Sequence, residues 1–145
     1  MIPTEGQSFP VLGVAEMDQT HEEFVRHIAL VETAADTDVL ARLDELLAHT
    51  EAHFNQEKEW MVAMEFPQIG CHGVEHDGVL EVTREARRYV MEGKYQVGRV
   101  LARELGEWFR THAATMDTML AYAMKNQGEP VAECGTGACG HGTPN

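Results

Sequence analysis

The stretch TDVLARLDELLAHTEAHFNQEKEWMVAME, residues 37–65, is a long helical pattern. Steps of three and four residues along it connect mostly apolar positions, as on the buried face of an amphipathic helix. The same face carries His53 and Glu57, where apolar side chains are expected. Pro67 follows and ends the pattern. The stretch therefore predicts a helix over residues 38–64 with a polar pair on its buried face.

Three further helical patterns surround this stretch. Thr20, with Glu23 three residues later, forms a capping box that predicts the start of a first helix. Gly93 separates a third pattern from a fourth. The expected helices cover residues 20–36, 38–64, 71–91 and 95–125. Short connections between consecutive helices favour an all-α fold, an antiparallel up-down-up-down four-helix bundle.

The two ends of the chain show no helical period. Residues 1–17 hold two prolines and two glycines and predict an extended N-terminal arm. Together with the four helices, the arm forms one domain over residues 1–127. Residues 128–145 are rich in glycine and predict a flexible tail. The tail also holds three residues that could bind a metal or close a small disulfide loop, namely Cys134, Cys139 and His141.

Composition excludes several classes of partner and location. The formal net charge of −13 argues against nucleic acid and anionic membrane surfaces as partners. The longest apolar runs are too short to span a bilayer. The N-terminus has neither the basic segment nor the apolar core of a secretory signal. Three cysteines, an odd number, do not indicate a disulfide framework. We therefore expect a cytoplasmic monomer with no nucleic-acid partner and no membrane insertion.

Five histidines and one glutamate occupy positions on the buried helix faces that favour apolar residues. They are His21, His53, Glu57, His72, His76 and His112. Burying an unpaired polar or charged group is costly, so several such groups together need a shared partner. In an antiparallel bundle, the first and third helices start at the end where the second and fourth helices finish. All six side chains lie toward that end, so we expect them to converge.

Asp117 matches this group in chemistry but not in helical phase. It lies five residues after His112, which is about 140° around an ideal helix. A local helix distortion, or a ligand reaching in from the side, would bring the two together. Five imidazoles and two carboxylates suit a transition metal, iron above all, and seven ligands suit two ions better than one. Zinc, which prefers a closed tetrahedron of four ligands, is disfavoured.

Four segments of the chain resemble the hemerythrin family in its bacterial single-domain form: MDQTHEEF, HFNQEKEWM, HGVEH and WFRTHAATMD. The resemblance runs from about residue 9 to residue 125 and fills all seven ligand positions at the family's spacings. It implies two non-haem irons joined by an oxo or hydroxo bridge and by two carboxylates, with one coordination position open. The implied ligands are His72, His76 and His112 on the saturated iron, His21 and His53 on the open iron, and Glu57 and Asp117 as bridges.

The resemblance also implies a function. It implies reversible O2 binding for oxygen storage, delivery or scavenging, with small anions such as azide as further ligands. One alternative is a di-iron enzyme with peroxidase or nitric-oxide-related activity. Ferritin-like di-iron sites use Glu-x-x-His motifs and more carboxylates, and this chain has no such motif. Another alternative is an oxygen or redox sensor, but a sensor normally carries a signalling domain, which this sequence lacks.

The pocket above the open iron departs from the family pattern. The family usually has a leucine three residues after the first ligand histidine. It has another leucine three residues before the last ligand histidine and an isoleucine directly after it. Here these positions are Phe24, Phe109 and Ala113, while the family's tryptophan is kept as Trp108. Two of these side chains are larger than the family's residues and one is smaller, so we expect Ala113 to leave a gap in the apolar wall.

Overall fold

The computed structural model describes residues 9–127, and this range is helical without strands. Its α-helices are α1 (Ala15–Glu32), α2 (Val39–Ala63), α3 (Ile69–Met91), α4 (Tyr95–His112) and α5 (Thr118–Lys125). A 3₁₀ turn, Asp36–Asp38, precedes α2, and a π-helical turn, Ala113–Asp117, joins α4 to α5. The predicted tail, with Cys134, Cys139 and His141, lies outside the described residues, as does the part of the predicted arm before Phe9.

The helices form a four-helix bundle in which α4, the π-helical turn and α5 together make the fourth helix. α1 packs against α2 and α4, and α3 packs against the same two helices. The prediction of an all-α four-helix bundle is confirmed. Among residues 9–127, none of the helices combines the length and the hydropathy that a bilayer-spanning helix needs.

The core divides into two apolar clusters at different levels of the bundle. The larger cluster contains, among others, Phe24, Leu43, Leu46, Leu105 and Phe109. The smaller cluster contains, among others, Leu12, Met17, Met61, Phe66 and Leu120. Gly98 allows α4 to approach its neighbours in the larger cluster, because a Cβ there would lie 2.9 Å from Val39 Cγ1 and 3.0 Å from Val90 Cγ2.

The start of α1 differs from the prediction. α1 begins at Ala15, five residues before the predicted N-cap Thr20, so both the capping box and the length of the arm were predicted wrongly. The Asp18 carboxylate accepts hydrogen bonds from the backbone N–H groups of Leu12 and Gly13 at 2.8 and 3.0 Å. These bonds fix the chain just before the helix. The Thr20 hydroxyl instead donates to the carbonyl oxygen four residues earlier, inside the helix, at 2.9 Å.

The end of α1 also differs. The helix ends at Glu32, four residues earlier than predicted, and Ala35, which lies within the predicted helix, is exposed. The Arg99 guanidinium donates two hydrogen bonds to the carbonyl oxygen of Ala34, at 3.1 and 3.0 Å, and one to Asp36. This arginine comes from α4, so a contact between helices holds the connection outside α1. The remaining predicted helix boundaries agree with the structure to within about two residues.

Candidate metal centre

Seven ionisable side chains from all four helices of the bundle meet in its interior, between the two apolar clusters. Each is between 0% and 4% exposed. They are His21 on α1, His53 and Glu57 on α2, His72 and His76 on α3, His112 on α4, and Asp117 in the π-helical turn. The structure therefore brings together all seven residues that the sequence singled out.

The π-helical turn places Asp117 beside His112. In a π-helical turn the bonded residues are five apart, so residues at this spacing line up on one face of the helix. The Thr118 hydroxyl follows the same spacing and donates to the Ala113 carbonyl oxygen at 2.8 Å. The His112 Nε2 and Asp117 Oδ1 atoms are 3.2 Å apart. The helix distortion suggested by the sequence is therefore present.

The Glu57 carboxylate divides the histidines into two groups. Its Oε2 atom lies 3.1 Å from His53 Nε2 and 3.6 Å from His21 Nε2. Its Oε1 atom lies 3.3 Å from His72 Nε2 and 3.4 Å from His76 Nε2. Each oxygen of this one carboxylate thus faces a different set of imidazoles.

The Asp117 carboxylate makes the same division. Its Oδ2 atom lies 3.1 Å from His21 Nε2. Its Oδ1 atom lies 3.0 Å from His72 Nε2 and 3.2 Å from His112 Nε2. The two-histidine group is His21 and His53, and the three-histidine group is His72, His76 and His112. Both carboxylates therefore present one oxygen to each group.

Several donor atoms in this cluster lack the hydrogen bonds that buried polar groups usually make. Within residues 9–127, Glu57 Oε1, His72 Nε2 and both oxygens of Asp117 have no hydrogen-bond partner of suitable geometry. Converging nitrogen and oxygen lone pairs of this kind suit metal ions. The donor atoms form two sets, and in each set they lie close enough together to hold an ion. One set consists of Glu57, Asp117 and the three-histidine group, and the other consists of Glu57 and the two-histidine group. The residues therefore fit two metal ions.

Without metal, the carboxylates and the histidines of the cluster stabilise each other's charged forms. Burial lowers the pKa of His21 and His112, but the Asp117 and Glu57 carboxylates outweigh it and raise the pKa of both to about 9. Burial raises the pKa of both carboxyls, but the histidines that face them outweigh it and hold both pKa values below the ordinary range. At neutral pH the cluster therefore keeps protons on His21 and His112, and a metal ion must displace them.

Two side chains that the sequence analysis missed support the three-histidine group. The Phe54 ring stacks on the His76 ring, with centroids 3.6 Å apart and planes at 3°. The Glu75 Oε1 atom accepts hydrogen bonds from His112 Nδ1 at 2.9 Å and from Trp108 Nε1 at 3.2 Å. The hydrogen bond from His112 lowers the pKa of Glu75. The sequence signal was their position, because each is the chain neighbour of a histidine in the cluster.

Aromatic side chains cover the two-histidine group. The Phe109 ring centroid lies 4.8 Å from that of His21 and 5.0 Å from that of Phe24. The Phe24 ring lies 5.5 Å from the His53 ring. Phe9, which the sequence analysis also missed, packs from the arm onto Phe109 at 5.7 Å. Three phenylalanines therefore form an apolar wall on this side of the cluster.

Ala113 and Trp108 differ from the predicted pocket. Ala113 is 0% exposed and lies in the larger apolar cluster with Phe24 and Phe109. The gap predicted at Ala113 is therefore closed to solvent, because the larger phenylalanine rings occupy this part of the core. Trp108 lies on the other side, where its ring stacks on His112 with centroids 4.4 Å apart. It thus contacts the three-histidine group.

Two further histidines lie near the cluster but outside it. The rings of His27 and His49 are half-buried and 4.9 Å apart. His49 Nε2 lies 3.1 Å from Glu23 Oε1. Glu23 therefore binds a histidine on α2 instead of capping α1. Neither histidine belongs to the two sets of donor atoms that could hold an ion.

Comparison with known proteins agrees with this geometry. The family model described as the hemerythrin HHE cation binding domain matches residues 12–123. A bacteriohemerythrin from Ralstonia nicotianae is 40% identical over 122 residues, which cover 84% of this chain and 89% of that protein. A bacteriohemerythrin from Aquifex aeolicus is 33% identical over 111 residues, which cover 72% of this chain and 85% of that protein. No solved structure gives a significant match. Because the matched range includes all seven residues of the cluster and most of the chain, the chain belongs to the hemerythrin family.

Proposed function

We propose that this protein binds O2 reversibly at a pair of iron ions held by the seven-residue cluster. The observation that carries the proposal is that Glu57 and Asp117 each face both histidine groups. As bridges, they would give each ion two oxygens, and a solvent oxygen would give it a third. Three histidines would then complete six ligands on one ion, whereas two histidines would leave one position open on the other.

The composition of the cluster supports oxygen binding over oxidation of a substrate. Imidazoles are neutral ligands, so five of them with two carboxylates favour the ferrous state more than the carboxylate-rich sets of ferritin-like proteins do. A ferrous pair held by these residues would supply the two electrons that reversible O2 binding requires. The wall formed by Phe9, Phe24 and Phe109 keeps water and protons away from the two-histidine group, which slows irreversible oxidation.

We propose that this binding serves oxygen storage, delivery or scavenging, with oxygen or redox sensing as the alternative. Small anions such as azide suit the same open position as O2. The net charge of −13 supports a role that does not involve nucleic acid. Cytoplasmic location and a monomeric state remain predictions from the sequence.

Iron and oxygen measurements test the proposal. Metal-free protein is loaded with Fe²⁺ under anaerobic conditions, and iron is counted per chain. Visible spectra are recorded before O2, in O2 and after O2 is removed. We expect about two irons per chain, a coloured oxygenated form and its loss when O2 is withdrawn. One iron per chain, a preference for zinc, or permanent oxidation on first exposure would contradict the proposal.

The same preparations separate oxygen binding from the enzyme alternative. Sustained oxidation of a dye by hydrogen peroxide, at a rate that depends on the loaded iron, would favour a peroxidase. We expect no such turnover above that of free iron. The variant His27→Ala is a matched control, because His27 is a nearby histidine outside the two sets of donor atoms. It should load iron and bind O2 as the wild type does.

A further inference from the structure

The His112 ring is held on both edges and on one face. Its Nε2 atom lies 3.2 Å from Asp117 Oδ1 and 3.2 Å from His76 Nε2. Its Nδ1 atom lies 2.9 Å from Glu75 Oε1. The Trp108 ring stacks on it with centroids 4.4 Å apart and planes at 23°. These contacts leave the imidazole little freedom to rotate.

Glu75 joins these contacts through a single oxygen atom. Its Oε1 accepts the Nδ1–H group of His112 and also the Nε1–H group of Trp108, the latter at 3.2 Å. Trp108 and His112 are four residues apart, so they lie on the same face of α4. Glu75 comes from α3, one residue before His76. The carboxylate therefore ties together two helices that both supply histidines to the cluster.

This carboxylate contact distinguishes His112 from other histidines of the cluster. In the described part of the chain, the Nδ1 atoms of His21, His53 and His72 are buried and have no hydrogen-bond partner. A carboxylate that accepts the Nδ1 proton fixes the tautomer whose Nε2 lone pair can bind a metal. It also makes the imidazole a stronger donor.

We propose that Glu75 is a positioning residue that fixes His112 as an Nε2 donor and strengthens its bond to the metal, while Trp108 holds the Glu75 carboxylate in place. The inference rests on the proposed function only for the identity of the metal, because the hydrogen bonds act on any ion that His112 binds. Its consequence is an asymmetric pair of ions. The extra negative charge beside the three-histidine group favours the higher oxidation state of the ion held there.

Two substitutions of Glu75 separate hydrogen bonding from charge. Glu75→Gln keeps an acceptor oxygen but removes the charge, whereas Glu75→Ala removes both. Trp108→Phe keeps an aromatic ring beside His112 but removes the N–H donor. Glu81 is exposed on the same helix, so Glu81→Gln is the matched control for loss of one negative charge.

The first measurement uses Zn²⁺ alone as the probe and needs no oxygen chemistry. Affinity is measured by competition with a coloured chelator, and the Nδ1–H proton of His112 is observed by NMR in the zinc-loaded protein. We expect Glu75→Ala to weaken zinc binding by about 10- to 100-fold and to lose the hydrogen-bonded proton signal. Glu75→Gln and Trp108→Phe should weaken zinc binding less, and Glu81→Gln should bind zinc as the wild type does.

The second measurement is the reduction potential of the iron-loaded protein. Glu75→Gln should raise the midpoint potential while the helix content stays unchanged, a result that a merely structural role would not produce. Wild-type zinc affinity in Glu75→Ala, together with an unchanged potential in Glu75→Gln, would overturn the inference. If Glu75→Ala does not fold, the zinc affinity and the reduction potential of the isosteric Glu75→Gln test the role of Glu75. If the wild type never binds O2, the proposed function fails, but the zinc results still decide the role of Glu75.

Discussion

Glu57 on α2 and Asp117 in the π-helical turn face the same two groups of histidines, each with one carboxylate oxygen per group. His72 Nε2 lies 3.3 Å from Glu57 Oε1 and 3.0 Å from Asp117 Oδ1. His21 Nε2 lies 3.6 Å and 3.1 Å from the other oxygen of each carboxylate. The two carboxylates therefore link the halves of the centre, and the loss of either should affect both halves.

Removing a bridging carboxylate should cost more metal than removing a histidine at the edge of the cluster. We expect the iron content to fall from about two irons per chain to fewer than about one in both Glu57→Ala and Asp117→Ala. His53→Ala should keep about one iron, because the three-histidine group stays intact. Elemental analysis of protein loaded with excess Fe²⁺ gives the numbers, and His27→Ala is the control. A Glu57→Ala variant that still holds both irons would rule out a bridging role.

Metal uptake should release protons at neutral pH. The pKa values of His21 and His112 are raised from 6.5 to about 9, so both hold protons at pH 7 until a metal displaces them. Adding Zn²⁺ to metal-free protein in weak buffer at pH 7 should therefore release protons from these two histidines, which a pH indicator detects. Affinity should increase as pH rises toward about 9 and then level off. Uptake without proton release at pH 7 would contradict this.

The same pKa shifts should affect the stability of the metal-free protein. A histidine whose pKa is higher in the folded state stabilises that state fully below pH 6.5. This contribution is lost as the pH rises through about 9. Urea unfolding at pH 6.5 and pH 9.5, compared between wild type and His21→Gln, measures it. The wild type should lose more stability over this interval, and equal losses would show that His21 holds no extra proton.

Enlarging Ala113 should destabilise the protein. Its side chain is fully buried beside Phe109, so Ala113→Ile should overpack the core and cost about 1–3 kcal/mol of the free energy of unfolding. The oxygenated form should not last longer. Urea unfolding and the decay of the oxygenated absorbance check both points. Ala114→Ile, at an exposed position of the same turn, should be tolerated. Unchanged stability with slower decay in Ala113→Ile would reveal a gap at this position.

Removing Phe9 should open the apolar wall. Its ring packs on Phe109 and on His21, and the Lys125 ammonium donates to the Leu12 carbonyl oxygen at 2.7 Å, which anchors the arm. Phe9→Ala should therefore speed both azide entry and autoxidation while the iron content stays unchanged. Stopped-flow azide binding measures the first effect. Val11→Ala, in the same arm but 81% exposed, is the control. Identical rates in both variants would mean that the arm does not cover the pocket.

The helical bundle and the residues that converge in it could be predicted from the sequence. Helical periodicity is a local property, so the buried faces of the four helices could be traced without any contact being known. Antiparallel order then placed His53 and Glu57 at the same end as His72. Even the misfit of Asp117 was visible, because five residues do not complete a whole number of α-helical turns.

The contacts that support and cover the cluster could be seen only in the folded chain. Glu75 and Phe9 lie off the buried helix faces, and their roles come from contacts with residues far away in the chain. The start of α1 was decided in the same way, because Asp18 binds the arm and Glu23 turns to His49. Such hydrogen bonds and ring contacts depend on the separation of helices in space, which no local pattern of residues encodes.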